Sequence, residues 1–337
     1  DSVTIDASGL VATGLASFTV MTGTGGAGTT INGPISLSDG FTLQTGAVNL
    51  NSTLAGTGTG VVAITAAGGN SLNVNNTITT ASGQVTLQAD DDVIFAAAGD
   101  VTTTSGNVVV AADLNGDNTG SGGDVTMADG TVIDAGSGTI TINSDGVIAV
   151  GQLITTNSTS SAVTLSAKNS AINDAGDTGG VDISAVNGTA MLNADHLTSG
   201  AIGSGANALE TSVATLIASA SGSNGLNIDN TGNLVATLTA INGPAKLNVH
   251  STLTTGGNWS ANSFEIDVDG NFTGSHSIAS DQAAGVDLNS SAGAVTINQA
   301  ISSANGGGVT ISAASGVTLA AADADITTGG GTFTVDA

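Results

Sequence analysis

The sequence of 337 residues contains no cysteine, no tyrosine and no arginine. Without cysteine the fold holds together without disulfide bonds, and an oxidising compartment is neither indicated nor excluded. Proline occurs twice and aromatic residues make up 2% of the chain, so large side chains are too few to fill a wide core. No apolar run reaches the roughly 18 residues that a membrane-spanning helix requires, and we therefore expect no membrane insertion.

Positive charge is almost missing as well. Lys168 and Lys246 are the only lysines, and with 27 acidic residues they leave a net charge of −25. Such a surface cannot neutralise a phosphate backbone, which excludes nucleic acid as a partner and disfavours anionic membranes. Among the acids only Glu210 and Glu265 are Glu; the others are Asp, which favours turns over helices.

A repeat organises what is present. The segment Ser82–Leu87 (SGQVTL) returns as Ser105–Val110 (SGNVVV), 23 residues later. The same step, two apolar residues around a central one, recurs along the chain, and it begins at Phe18, Phe41, Val62, Val85, Val108, Ile140, Val163, Val309 and Phe333. A fixed period between about 20 and 50 residues is typical of solenoids.

Each repeat contains three short strands separated by three turns. Inward Val, Ile, Leu and Phe alternate with outward Thr, Ser and Asn, which is the pattern of strands with one buried face. No segment repeats apolar residues at helical spacing over three turns. Copies that follow one another at this period are expected to stack as parallel rungs about 4.8 Å apart. The predicted fold is therefore all-β, a parallel β-helix with coils of about 23 residues and few or no helices.

We expect residues 1–337 to form a single β-solenoid, because a stacked core grows in one dimension. Two departures interrupt it: a loop insertion at residues 113–124 and a less regular middle section at about 187–242, where the period blurs. If a short helix exists, we expect it in the Ala-rich stretch Leu209–Ile217. Pro34 and Pro244 should lie at corners between strands, because proline cannot donate to a β-ladder.

Three segments of the last third carry a family resemblance: Gly293–Ile297 (GAVTI), Gly308–Ala313 (GVTISA) and Ala324–Gly331 (ADITTGGG). Their rhythm resembles the repeats of filamentous-haemagglutinin-like adhesins and related giant bacterial surface proteins. The resemblance implies a right-handed parallel β-helix, export from a bacterial cell to an extracellular or cell-surface location, and a role as a stalk, adhesin or surface fibre. The Asn-Pro-Asn-type secretion-domain motif of that family is missing, which leaves the export route open.

The insertion carries the sharpest local chemistry. The interval from Val108 to Ile140 is 32 residues, nine longer than its neighbours. In the extra loop, oxygen-bearing side chains fall at positions 1, 3, 5, 7, 9 and 12, which are Asp113, Asn115, Asp117, Thr119, Ser121 and Asp124. This is the ligand spacing of helix-loop-helix calcium loops, and Ca²⁺ takes six to eight oxygens. The spacing predicts a Ca²⁺ site, against a plain Gly/Asp/Asn loop, although Asn118 and Asp124 stand where such loops carry Gly and Glu.

Catalytic constellations are not evident. His196, His250 and His276 lie 54 and 26 residues apart, without the spacing of a zinc site. Eliminating lyases of the parallel β-helix architecture use an Arg or Lys base, and this chain has no arginine. A hydrolase needs two carboxylates across its substrate with one kept protonated, which adjacent coils would have to align. We expect no enzyme, and a polysaccharide-degrading β-helix is the less favoured alternative.

The two ends of the sequence bear on function. It opens on the strand step Val3–Ile5 and closes on Phe333–Val335, and neither end carries the polar cap that a solitary solenoid requires. The expected partner is therefore a second copy, or the continuation of a longer chain. We predict a subunit or segment of an extracellular fibre or sheath that assembles end to end by continuing the β-ladder. The alternative is an adhesin passenger stalk that binds surfaces or glycans.

Overall fold

The structure is a computed structural model that describes residues 3–5, 10–12, 17–21, 28–114, 123–178 and 180–337. Within these ranges all regular secondary structure is β-strand, and the paired strands run parallel. The fold is a right-handed β-solenoid of about 13 coils, each of about 23 residues, which confirms the fold class predicted from the repeat. No helix that could span a membrane occurs in the described ranges.

The first 22 strands are mostly three to five residues long, because each covers one side of a coil between two corners. In chain order they are β1 (Val3–Ile5), β2 (Leu10–Ala12), β3 (Ser17–Met21), β4 (Thr29–Ile31), β5 (Ile35–Leu37), β6 (Gly40–Thr45), β7 (Val48–Leu50), β8 (Leu54–Gly56), β9 (Val62–Ala66), β10 (Leu72–Val74), β11 (Ile78–Thr80), β12 (Val85–Ala89), β13 (Val93–Phe95), β14 (Val101–Thr103), β15 (Val108–Ala111), β16 (Val125–Met127), β17 (Val132–Asp134), β18 (Ile140–Ser144), β19 (Ile148–Val150), β20 (Gln152–Ile154), β21 (Val163–Ala167) and β22 (Ile172–Asp174).

The later strands include four that are ten or more residues long. In chain order they are β23 (Ile183–Ala194), β24 (Leu209–Ala220), β25 (Leu226–Asn230), β26 (Leu234–Ala240), β27 (Ala245–Val249), β28 (Leu253–Thr255), β29 (Trp259–Val268), β30 (Phe272–Gly274), β31 (Ile278–Ser290), β32 (Val295–Ile297), β33 (Ile301–Ser303), β34 (Val309–Ala313), β35 (Val317–Leu319), β36 (Ile326–Thr328) and β37 (Phe333–Asp336). The long strands pass round a corner and join two sides of a coil.

The chain divides into two compact units. Unit 1 is Asp1–Lys168 with Asp174–Ala185, and unit 2 is Asn169–Asn173 with Val186–Ala337. In unit 1 each strand pairs with the strand three positions earlier in the chain. This gives three ladders: β1-β4-β7-β10-β13-β16-β19, β2-β5-β8-β11-β14-β17-β20 and β3-β6-β9-β12-β15-β18-β21. The expectation of a single solenoid over residues 1–337 stays a prediction.

The stacking that the repeat predicts is present in unit 1. Val85 pairs with Val62 on one side and with Val108 on the other, so equivalent residues of successive coils are direct neighbours. Their side chains, like those of Leu87 and Val110, are fully buried. Burying one such side chain stabilises a fold by about 1.5–3 kcal/mol, so a narrow core of Val, Ile and Leu is sufficient without aromatic residues.

Coil length differs within unit 2. Leu226 pairs with Ala245 and Ala245 with Phe264, in each case 19 residues along the chain. Further on, Val286 pairs with Val309 at the ordinary period of 23. A pattern search at 23 residues loses the register where the coils shorten, and for this reason the middle of the sequence looks irregular although its ladders continue.

The suggestion of a short helix at Leu209–Ile217 is wrong. These residues belong to strand β24, which pairs with β25 through Leu209 and with β26 through its second half, from Thr215 onward. Buried positions alternate up to Val213 and then resume at Leu216, one residue out of phase. This phase change at the corner produces apolar spacings of three and four that imitate a helix.

The prolines lie at corners, as predicted, and the loop insertion at residues 113–124 stays a prediction. Val108 pairs with Ile140, 32 residues along the chain, so the coil between these ladder partners is longer than its neighbours. Residues 115–122 of that coil lie outside the described ranges. Pro34 lies between β4 and β5, and Pro244 lies between β26 and β27. Both prolines therefore occupy corners, where no ladder hydrogen bond is lost.

Candidate functional site

The root of the predicted calcium loop is closed. A Cβ placed on Gly123 would lie 3.0 Å from the Cβ of Asp113 and 3.3 Å from that of Asp145, so the two ends of the insertion meet against the next coil. Asp113 and Gly123 both have positive φ, 54° and 87°, which turns the chain sharply at each end. The insertion thus leaves and rejoins the wall at one place, as a closed loop does.

Of the six predicted ligands, the structure describes Asp113 and Asp124. Asp124 is tied to the wall: its Oδ1 accepts a hydrogen bond from the Val147 amide at 2.7 Å, and its own amide donates to Asp92 Oδ1 at 2.9 Å. Burial raises the pKa of Asp92, and the charges of Asp91 and Asp124 raise it further against the lowering effect of the Asp124 amide. Negative charge is therefore concentrated at this corner.

The other four predicted ligands, Asn115, Asp117, Thr119 and Ser121, lie outside the described residues. Beside the loop root is a cleft of about 230 Å³, which includes Asp113, Asp145 and Lys168 in its lining. Lys168 Nζ lies 3.0 Å from Asp145 Oδ1, and this hydrogen bond raises the pKa of Lys168. The calcium site stays a prediction, with a closed loop root as its structural context.

A second polar region, here called the acidic face, lies on the outer side of one ladder of unit 2. It consists of charged and amide side chains that point outward from β25, β27, β29 and β31, together with the one residue that follows β27 and the one that follows β29. These residues are Asn227, Asp229, Lys246, Asn248, His250, Glu265, Asp267, Asp269, Asp287 and Asn289. The β-ladder register places them in columns with one residue per coil. Outward Asp and Asn alternate in one column, which keeps like charges from lying directly opposite one another.

The alternating column is held by amide-to-carboxylate hydrogen bonds. Asn248 Nδ2 donates to Asp229 Oδ2 at 3.0 Å, and Asn289 Nδ2 donates to Asp267 Oδ1 at 3.1 Å. Each bond links a coil to the one before it, so the outer face adds cross-links to the backbone ladder. These contacts show that part of the acidic face is structural.

The neighbouring column places two acids of adjacent coils, Glu265 and Asp287, directly opposite each other. Lys246 Nζ lies 2.8 Å from Glu265 Oε1, and Glu265 is the ladder neighbour of Asp287. Loss of surrounding water raises the pKa of Asp287, and the negative charges of Asp267 and Glu265 raise it further. Adjacent coils thus align two carboxylates, which is the arrangement that a hydrolase would need and that the sequence could not show. Lys246 forms an ion pair with one of them, Glu265.

His250 lies in the acidic face and not in a metal-type cluster of histidines. Its Nε2 is 2.9 Å from Asp229 Oδ1, and its Nδ1 is 3.1 Å from Asp269 Oδ2. The sequence did not reveal this contact, because a 23-residue period does not bring residues 229, 250 and 269 together. The signal that would have found it is the local 19-residue period.

The last coil of unit 2, formed by β35, β36 and β37, is exposed. Phe333 and Val335 are 48% and 46% exposed, whereas their ladder partners one coil earlier, Val309 and Ile311, are fully buried. Leu319 in the same last coil is 51% exposed. These apolar side chains have the inward position of a core but, among the described residues, no coil beyond them.

The backbone of the last coil has an open edge as well. In earlier coils the amides of the inward residues donate to the following coil, as Val286 does to Gly308 O at 3.0 Å and Val309 does to Thr332 O at 2.9 Å. Parallel pairing repeats this direction, so the amides of Phe333 and Val335 point away from β34. Such an edge is a template for another strand.

No family model, curated protein or solved structure matches this chain. The β-solenoid that the resemblance to filamentous-haemagglutinin-like adhesins implies is present, while membership of that family stays a prediction. The open edge of the last coil and the acidic face are therefore the structural features that bear on function.

Proposed function

We propose that this chain is an extracellular structural protein, a subunit or segment of a surface fibre or sheath that assembles end to end by continuing its β-ladder. The single observation that carries the proposal is the last coil of unit 2, which exposes core-type side chains and an unpaired strand edge. The β-solenoid fold itself supports a structural role without requiring one.

Covering the last coil would be favourable. Fully burying a large apolar side chain contributes about 1.5–3 kcal/mol, so the half-exposed Leu319, Phe333 and Val335 offer roughly 2–4 kcal/mol together. The amides and carbonyls of β37 that point away from β34 would add ladder hydrogen bonds. Opposing this, the net charge of −25 makes two copies repel each other, and salt screens that repulsion.

The partner surface in this proposal is the first coil of unit 1. In unit 1 the first coil consists of β1, β2 and β3, and each of these strands pairs with a following strand, β4, β5 and β6. A following copy would add its first coil to the last coil of the copy before it. Such a contact joins two different surfaces, and contacts of this kind give open filaments when the rotation does not close a ring.

Charged substitutions on the open edge are expected to abolish assembly. Phe333→Asp with Val335→Asp places two carboxylates where the next coil would bury them, and an unpaired buried charge is costly. We expect the unchanged chain to form end-to-end filaments that become longer at higher NaCl concentration, and the double variant to remain monomeric. Light scattering and negative-stain electron microscopy measure the difference.

The matched control is Thr332→Asp with Thr334→Asp, which adds the same two charges at the outward positions of the same edge. We expect this control to assemble. Monomers of the unchanged chain at every salt concentration would contradict the proposal, as would filaments of the double variant. A monomer that binds glycans on an array would favour the alternative, an adhesin passenger stalk.

We propose no catalytic role for the chain. Four of the five acidic-face carboxylates have a structural use, because they bind Asn248, Asn289, Lys246 or His250; they are Asp229, Glu265, Asp267 and Asp269. A polysaccharide-degrading β-helix remains the less favoured alternative, with Glu265 and Asp287 as its aligned carboxylates. Release of reducing ends from acidic and neutral polysaccharides, lost on Asp287→Asn, would support that alternative.

We also propose that the insertion binds Ca²⁺, since its root is closed and acidic. Extracellular calcium modules bind with dissociation constants of about 0.1–1 mM. At 10 to 100 times that constant, calcium should stabilise unit 1 by about 1.4–2.7 kcal/mol. We expect a higher melting temperature in 10 mM CaCl₂ than in EGTA, measured by circular dichroism, and no such increase for Asp117→Asn.

The matched control for calcium is Asp323→Asn, an exposed loop aspartate of unit 2 whose loss changes the net charge equally. It should keep the calcium response of the unchanged chain. Equal responses of the Asp117 and Asp323 variants, or no heat of binding by calorimetry at millimolar calcium, would show that the insertion is a plain loop.

A further inference from the structure

One imidazole joins three consecutive coils of unit 2. Asp229 lies on β25, His250 directly follows β27, and Asp269 directly follows β29, and these three strands are ladder neighbours. The ring nitrogens lie 2.9 Å from Asp229 Oδ1 and 3.1 Å from Asp269 Oδ2. A carboxylate therefore faces each nitrogen of the ring.

The protonation state of the ring decides whether both contacts are favourable. Imidazolium carries an N–H on both nitrogens and donates to both carboxylates, whereas neutral imidazole carries only one. The neutral ring keeps one N–H, for example at Nδ1 toward Asp269, and the lone pair at Nε2 then lies 3.3 Å from the Asn248 amide nitrogen. Loss of the proton thus removes one of the two charge-assisted bonds between the ring and the carboxylates.

We propose that Asp229, His250 and Asp269 form a pH-dependent clamp, which ties three coils of unit 2 together in mildly acidic solution and releases them when the imidazole loses its proton. The clamp lies within unit 2 and does not depend on end-to-end assembly. The stability of these three coils therefore depends on the pH of the surrounding solution.

The charges around the ring favour the protonated state. The titratable and charged neighbours on the packed strands are Asp229 on β25, Lys246 on β27, Glu265 and Asp267 on β29, Asp269 after β29 and Asp287 on β31. These strands thus carry five acids against one lysine, Asp229 and Asp269 contact the ring directly, and Lys246 is already paired with Glu265. The hydrogen bond to Asp269 raises the pKa of His250, and Asp229 raises it further against the opposing effect of partial burial.

The direction of the pH dependence follows from that shift. A histidine whose pKa is higher in the folded than in the unfolded chain stabilises the fold fully below the unfolded value of 6.5, and this stabilisation is lost as the pH rises through the folded value. Acid also protonates Asp287, whose pKa is raised, and reduces the net charge of the chain. The unchanged protein alone therefore cannot isolate the clamp, and matched variants are needed.

The test compares the full chain with His250→Gln, His250→Lys and His196→Gln from pH 6 to pH 9. We expect His250→Gln to lower the melting temperature by about 2–4 °C at pH 6 and to have no effect at pH 9. The lysine of His250→Lys keeps its positive charge at pH 9, so this variant should have a higher melting temperature than the unchanged chain at that pH. The ring Nδ1 of His196 contacts Thr198 and Ser199 of its own turn, so His196→Gln is the matched control and should not reproduce the difference between pH 6 and pH 9.

A second measurement does not depend on the stability of a variant. In the unchanged chain, NMR titration of the His250 ring should give a midpoint above 6.5, and Asp269→Asn should lower it. A midpoint at or below 6.5 would overturn the clamp. So would an effect of His250→Gln that is equal at pH 6 and pH 9, because it would show that the ring acts through packing alone.

Discussion

Replacing Trp259 by alanine is expected to destabilise unit 2 by about 3–5 kcal/mol, the usual cost of removing a large buried aromatic side chain. Trp259 is the only tryptophan of the chain and is 1% exposed. Its ring stacks on Phe264 at 5.9 Å between centroids and meets the edge of Phe272 at 6.3 Å. The narrow core has few other large side chains that could move into the space.

The control for this variant is Trp259→Phe. Trp259 Nε1 donates to Ala236 O at 2.8 Å, and phenylalanine loses this bond but keeps most of the ring contacts. The Gly256 amide also donates to Ala236 O, so the carbonyl stays partnered and the phenylalanine variant should lose only about 1 kcal/mol. Urea unfolding followed by circular dichroism separates the two variants.

Because each coil contacts only its neighbours, the loss should be local. Hydrogen exchange should accelerate in peptides of β26 to β32 of the alanine variant and stay unchanged in peptides of β6 to β15. An alanine variant within about 1 kcal/mol of the unchanged chain would mean that the aromatic cluster does not hold these coils together.

Most of the fold could be predicted from the sequence, because the side-chain alternation and the period act on every coil in the same way. The pairing of Val85 with Val108 and the longer coil between Val108 and Ile140 both follow from counting residues between equal steps. What counting could not give is a change of period. Where Leu226 pairs with Ala245 after 19 residues, the same physics continues at a length that a 23-residue comparison does not detect.

The candidate sites differ in how much of each could be predicted from the sequence. The closed root at Asp113 and Gly123 lies where the excess of nine residues placed it, since an insertion must leave and rejoin one corner. The clamp of His250 was missed, because its partners come from coils before and after it and depend on the local 19-residue register.

One corner of the repeat requires glycine, because successive coils stack closely there. The Ser-Gly step that revealed the period places Gly83, Gly106 and Gly138 in a column before β12, β15 and β18. A Cβ on Gly106 would lie 2.1 Å from Gly83 O, and one on Gly138 would lie 2.1 Å from Gly106 O. The buried hydroxyl of Thr80 donates to Gly83 O at 2.8 Å, which holds that carbonyl in place.

Gly106→Ala should therefore destabilise unit 1 by about 3 kcal/mol or more, at or above the upper end of overpacking costs, because the added methyl group meets a fixed backbone carbonyl and no flexible side chain. The matched control is Gly205→Ala: a Cβ there has nothing within 4 Å, so its effect should stay within about 0.5 kcal/mol. Urea midpoints of the two variants measure the difference. Equal midpoints would show that successive coils can separate to admit the methyl group, and close stacking of the corners would then not be what requires glycine in the repeat.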